Sequence, residues 1–487
     1  MMKCKHPGTK LIYTFSLDDY IPKDHFLRLV DELVDFSFVR DLVREFYSDR
    51  GAPSVDPVVI FKMSLLGYFY GISSERRLAE ECRYNLAFKW FLHYDIDEIP
   101  PDHSIFSKTR ARYGKQAFEQ FFAEIVRKCA EVGLIDGTRL FVDASLLKAN
   151  ASRRSLAPRD SLMELKQSPK EYIESLWREN PTDGPDSNDG DPPEPPKQRR
   201  RKTNEVMVSK TDPDAEVVYR PGVGSMLAHK IHIAVADGKD RIVTAVTTTP
   251  GAVQEHTQVP ELLTRHWMVT GEKPEEVVGD AGYGIMSTYE FLDKLGISPN
   301  MPYRHARDSR RDSKHKVGFS YDAERDVYIC PEGKTLYRLS TPKGAPGHVL
   351  YMVSRCACHK CPRHGVECKP KRPSIVRTER DELLRRVREY RQTTGAQASF
   401  RRRKYSVEPA FAELKTTRGV RQANLRGNWK VQIQMLVAFA AYNIKHLVKR
   451  LDERRKSQEI ALSASLDSLM SLVSSGFVRL FSYCQAA

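Results

Sequence analysis

Thr138-Arg-Leu-Phe-Val-Asp-Ala-Ser145 is the segment most informative about fold class. Its short, unbroken apolar run predicts a buried strand with Asp143 near the C-terminal end, a place where functional carboxylates often sit. A lone Asp at a strand end more often caps the next turn, so Asp143 carries weight only with partners. Further along, His229-Lys-Ile-His-Ile-Ala-Val235 and Arg241-Ile-Val-Thr-Ala-Val-Thr-Thr-Thr249 read as two β-branched strands, with Ala236-Asp-Gly-Lys-Asp240 as a hairpin turn. A helix over 257–268, a strand over 275–280, a helix over 287–295 and a strand over 297–303 follow. The order predicts an α/β fold: three antiparallel strands continued by crossover units into a mixed sheet with helices on both faces.

Residues 25–115 read as helices, because apolar positions recur at three and four in Phe26, Leu27, Val30 and Leu33 and again from Val58 to Leu66. Ser73-Ser74 caps a helix over 75–84, and Pro100-Pro-Asp102 starts another that carries Lys108, Arg110 and Arg112. Such short helices are compatible with a helix-turn-helix reader of DNA and equally with an all-helical packing module. Another helix spans 115–131. Residues 150–225 change composition: 181–196 hold almost no apolar residue and Arg199-Arg-Arg-Lys202 follows, which predicts a largely disordered insertion.

With 487 residues, 40% of them hydrophobic, the chain can bury at least one large core. Lys and Arg number 78 against 63 Asp and Glu, a formal charge of +15, which favours a polyanionic partner, nucleic acid first; the alternative is a solvated basic surface. The N-terminus lacks a secretory signal, and the longest apolar run, Met435 to Ile444, is too short to cross a bilayer, so a cytoplasmic location without membrane attachment is expected. Cys4, Cys82, Cys129 and Cys484 are scattered singly, as reduced thiols would be. Cys330 and the cluster Cys356, Cys358, Cys361 and Cys368 differ: Cys358 and Cys361 have zinc-site spacing, and Cys368 or Cys330 could complete a structural Zn2+ shell. Free or redox-active thiols are the alternatives.

Asp143 and Asp280 would project from neighbouring strands, a pairing that costs electrostatic energy unless a cation intervenes. Asp237 is a reserve candidate, although Gly238 favours a turn role for it. Glu408 lies among six cationic side chains, Arg401, Arg402, Arg403, Lys404, Lys415 and Arg418, a pattern suited to DNA phosphates; an exposed charged helix is the alternative. Lys404, Glu408 and Lys415 would share one helix face if Pro409 did not break it, and Glu413 would face away. A magnesium ion asks for a few such carboxylates from different elements.

Val-Asp-Ala-Ser around Asp143, Thr211-Asp-Pro-Asp-Ala215, the strand at 229–235, Val278-Gly-Asp-Ala-Gly-Tyr283 and Val407-Glu-Pro-Ala-Phe411 with Lys415 resemble the DDE transposases of bacterial insertion sequences. The resemblance is to the broad group typified by insertion sequence 4 and, within it, to the family of insertion sequence 1182. Gly51-Ala-Pro-Ser, Gly71-Ile-Ser-Ser-Glu-Arg-Arg-Leu and Pro101-Asp-His-Ser resemble the helical domain preceding the catalytic core in those proteins. The resemblance implies a ribonuclease-H-like fold, Asp143, Asp280 and Glu408 as a triad for Mg2+ or Mn2+, and phosphate contacts by Arg401, Lys404 and Lys415. Arg401 and Lys404 depart from the related tyrosine-arginine-glutamate-lysine pattern, whereas Lys415 fits it. Expected partners are double-stranded DNA, as terminal inverted repeats and target, and a second copy of the chain in the DNA complex; the expected location is at the nucleoid. Implied boundaries are a DNA-end-binding helical domain 1–115, core segments 116–149, 226–303 and 399–451, insertions 150–225 and 304–398, and a tail 452–487. Two other readings remain open: an inactive or domesticated DNA-binding relative, and a nuclease of the same fold without strand transfer.

Overall fold

The computed structural model describes residues 14, 16–48, 50, 54–159, 203–304, 318–322, 324–339, 348–354, 361–362 and 374–484. Seven helices come first: α1 (Leu17–Tyr20), α2 (Phe26–Leu33), α3 (Phe38–Val43), α4 (Pro57–Phe69), α5 (Glu75–Tyr84), α6 (Leu86–Phe91) and α7 (Ser104–Glu131). Asp56 caps α4 and Pro57 occupies its first turn, where a missing N–H costs nothing. Helix α4 is apolar on nearly every side because it is enclosed, with Ile60, Phe61, Met63, Leu65 and Leu66 all buried. The predicted helices over 100–112 and 115–131 are one element, α7, kinked where Gly114 adopts φ +62°.

The sheet is built from β1 (Asp136–Lys148), then β4 (Glu216–Arg220), β5 (Gly224–Asp237), β6 (Val243–Pro250), β7 (Glu276–Val278) and β8 (Ser298–Asn300); β2 (Leu156–Pro158) and β3 (Met207–Ser209) pair separately. Strand β5 pairs antiparallel with β1, β4 and β6, while β7 and β8 run parallel to β1 in the order β1-β7-β8. Helices α9 (Val259–Thr270) and α10 (Met286–Lys294) make the two crossovers; the short α8 (Thr203–Val206) precedes β3. The chain is thus a mixed α/β protein with a helical N-terminal region. Its last two core strands are shorter than their apolar stretches suggest, β7 giving way to a turn at 281–283 and β8 to a bend at Met301. A Cβ on Gly279 would press on Tyr283 and Val142 at 3.2 Å.

Two of the expected boundaries change. Part of the stretch expected to be disordered is ordered: β2, β3 and β4 lie within 150–225, and β4 joins the sheet because Val217 pairs with Leu227 beside Ala149 and Ala215. The helix expected over 431–448 is α13 (Asn428–Cys484), which continues through the residues assigned to a tail.

Side chains on the sheet divide by parity, as the pleat requires. Leu140 and Val142 pack with α9, α10 and α11 (Glu379–Gln392); Phe141 and Leu147 pack with α7, α12 (Thr394–Thr416) and α13. That second cluster continues into α2–α6, so the N-terminal helices share one core with the sheet. Between β8 and α11 lie five antiparallel strands, β9 (Ser320–Asp322), β10 (Val327–Ile329), β11 (Thr335–Leu339), β12 (His348–Val353) and β13 (Ser374–Thr378), with a small core of Leu336, Tyr351, Val353 and Ile375. No helix among the described residues is long and apolar enough to cross a membrane.

Candidate active site at the centre of the sheet

Asp143 belongs to the odd-numbered residues of β1, which face α12. Helix α12 runs alongside β1 in the same direction: Arg402 pairs with Asp237 at 3.0 Å near the start of the strand, and Lys415 donates to Ser145 Oγ at 2.6 Å near its end. Between these anchors the Arg403 guanidinium lies 3.4 Å from Asp143. Glu408 projects from the same stretch of helix, exposed, and no hydrogen bond or ion pair holds it among the described residues. Pro409 does not end α12, which runs on to Thr416 although the Tyr405 carbonyl loses its helical donor there.

Asp280 stands two residues beyond β7, the parallel neighbour of β1. Its Oδ1 accepts the Gly282 N–H at 2.8 Å, and its carbonyl accepts Tyr283 N–H at 3.2 Å, so a tight turn aims the carboxylate back at the sheet. Burial pushes the Asp143 carboxyl up to about 6, against the opposing pull of Arg403 and the Ala144 N–H; the charges of Asp280 and Glu255 raise it further. Glu255 opens the one-turn 3-10 helix Glu255–Gln258 that leads into α9, with Lys230 Nζ at 3.5 Å.

The structure thus brings Asp143 and Asp280 to one place and lays the helix bearing Glu408 beside them. No three His, Cys, Asp or Glu side chains among the described residues are drawn close enough to hold a metal ion as they stand. The donor chemistry nevertheless suits a hard divalent cation, since the converging groups are carboxylates. The buried Tyr283 hydroxyl, which has no hydrogen-bond partner, lies within the field of Asp143, Glu255 and Asp280. Sequence reasoning missed Glu255, Tyr283 and the role of Arg403. Glu255 carries the signal that singled out Asp280, a carboxylate just beyond a strand, but four residues of loop after Pro250 obscure it.

The remaining candidates separate. Asp237 is buried at the far end of β5, takes Arg139 and Arg402, and accepts Gly238 N–H at 2.8 Å, a turn role. Arg401 and Lys404 are exposed on α12, whereas Lys415 is half-buried against Ser145. Glu413 turns to Arg418 and Lys445. In the N-terminal helices Arg110 is bound to Glu75 at 2.5 Å and Arg112 lies over the Tyr47 ring, leaving Lys108 exposed. Cys330 Sγ accepts Lys334 N–H at 3.3 Å in the β10–β11 turn, and Cys361 lies between β12 and β13; Cys356, Cys358 and Cys368 lie outside the described residues, and nothing described supports a zinc site. Burial raises the Cys82 and Cys129 thiols to about 12, so both are inert.

Two family models match the chain. One, described as a transposase domain (DUF772), covers residues 15–112; the other, described as a transposase DDE domain, covers residues 329–448. The first spans α1–α6 and the start of α7, and the second contains Glu408 and Lys415, while Asp143 and Asp280 fall between them. No curated protein matches the chain. The two matches support a DNA transposase of the DDE type.

Proposed function

We propose that this chain catalyses divalent-metal-dependent strand cleavage and strand transfer at the ends of an insertion sequence of the 1182 family, on a ribonuclease-H-like core. The carrying observation is the meeting of Asp143 on β1 with Asp280 just beyond its parallel neighbour β7, with α12 fastened to Ser145 of β1 and Asp237 of β5 so that Glu408 rides beside them. The strand order, with β1 flanked by antiparallel β5 and parallel β7, supports that core.

Asp143, Asp280 and Glu408 would hold Mg2+ or Mn2+, which when bound neutralises phosphate charge and lowers the pKa of the attacking water or hydroxyl. Arg401 and Lys404 grip the DNA backbone from the exposed face of α12, and Lys415 positions that helix on β1. Arg403 neutralises Asp143 in the cation-free protein. The helices over residues 15–112 bind the terminal inverted repeats, and two copies of the chain bring the two ends together.

A Mg2+-dependent assay on DNA carrying the element's own termini tests this reading. Asp280→Asn should lose cleavage and strand transfer by several orders of magnitude while retaining end binding in a gel-shift assay. Wild-type rates from that variant, or cleavage without joining by the wild-type protein, would overturn the assignment.

A further inference from the structure

We propose that Glu255 is a further cation-binding carboxylate of this site, joining Asp143 and Asp280 from the entry to α9; the inference rests on the reading of the site given above. The convergence is geometric. Gly282, two residues after Asp280, separates the two groups: a methyl there would strike the Glu255 carboxylate and come within 2.9 Å of Asp280 Oδ1. The bare Gly282 is what lets a side chain from the β6–α9 connection reach the turn after β7.

A second, independent feature points into the same space. The Tyr283 side chain is fully buried, yet its hydroxyl has no partner, although Asp143, Glu255 and Asp280 all act on it. A buried hydroxyl left unbonded is destabilising, so a donor or acceptor is due there in the working protein. An ion with its water shell, or the water alone, meets that need among carboxylates.

The opposing charges are few. Lys230 lies 3.5 Å from Glu255 but also donates to the Val253 carbonyl at 2.8 Å, and Arg403 lies on Asp143. Glu255 retains 26% side-chain exposure and Asp143 19%, so both can turn toward an ion. Glu408 stands exposed, outside the contacts that gather the other three. The site therefore takes one carboxylate from each of three loops and strands of the sheet, with the α12 carboxylate as a fourth.

Mn2+ titration of the full-length protein, followed by electron paramagnetic resonance, tests the assignment without recourse to turnover. Glu255→Gln should weaken Mn2+ binding by about tenfold or more, with the metal-free melting temperature unchanged or raised, and Glu255→Asp should restore most of the affinity. A Glu255 that serves only to pair Lys230 would show the opposite: a lower melting temperature and wild-type Mn2+ affinity in Glu255→Gln, which overturns the proposal. Asp280→Asn separates the two levels. If it loses Mn2+ while Glu255→Gln keeps it, only the role of Glu255 falls; if it binds Mn2+ as the wild type does, the site reading itself falls.

Discussion

At the scale of single residues, Asp143 is a carboxylate held in costly surroundings. Its carboxyl rises from an ordinary 3.8 to about 6 because burial outweighs the Arg403 charge. A carboxyl raised in the folded state contributes stability that is fully present below its unfolded value and is lost as pH climbs through the folded one. The metal-free protein should therefore lose stability between about pH 4 and pH 6 from this group, by roughly 3 kcal/mol at most. Thermal melts across that window should show the loss in the wild type and a flatter profile in Asp143→Asn. Millimolar Mg2+ at pH 7 should recover part of it in the wild type alone. A wild-type profile parallel to that of Asp143→Asn would contradict the burial of a charged Asp143.

At the scale of elements, α13 explains an oddity of its own sequence. Its apolar run is interrupted by amides that treat the edge strand β6 as a partner. Asn428 Nδ2 donates to the Thr248 carbonyl at 2.9 Å, Gln432 Nε2 to that of Val246 at 2.8 Å, and Asn443 both accepts from Val243 N–H and donates to its carbonyl. Among the described residues β6 pairs only with β5, so these side chains occupy the backbone groups that a further strand would otherwise use. Asn443→Ala should lower the unfolding free energy by about 2 kcal/mol or more in chemical denaturation, because two buried backbone groups lose their partners; a loss no larger than that of a surface substitution would refute this account. The strands β1, β5 and β6 were legible because β-branched and apolar residues predominate in them. The amides of α13 were not, since nothing local marks Asn428, Gln432 or Asn443 as partners of a strand some two hundred residues earlier. The same holds for the site: Asp280 stands out just beyond a strand and Glu408 through its basic neighbours, whereas Asp143, expected near a strand end, lies mid-strand because β1 continues to Lys148. Glu255 and Tyr283 acquire meaning only when the turn around Gly282 places them side by side.

At the scale of the molecule, the chain leaves the sheet after β8 and returns to the same edge. Helix α11 packs on β8 and is tied to α10 by Arg380–Glu290 at 2.9 Å and Arg386–Asp293 at 3.1 Å. The Asn300 side chain reaches the Ala396 carbonyl at 2.6 Å, fastening the start of α12 to the last core strand. Strands β9–β13 form a separate sheet, with β9 and β13 at its two edges, and keep a core of their own. A chain in which a short Gly/Ser linker replaces 305–378 should still fold, with Mn2+ affinity within about threefold of the full protein, because the host on either side of the insertion is already held together at Asn300 and Ala396 and closing the gap costs little entropy. Collapse of that shortened chain into aggregates would show the inserted strands to be structural props. The arrangement amounts to a cassette plugged into a socket: the part that can be exchanged is physically apart from the part that must hold its shape, so the accessory sheet is free to change while the carboxylate frame stays as it is.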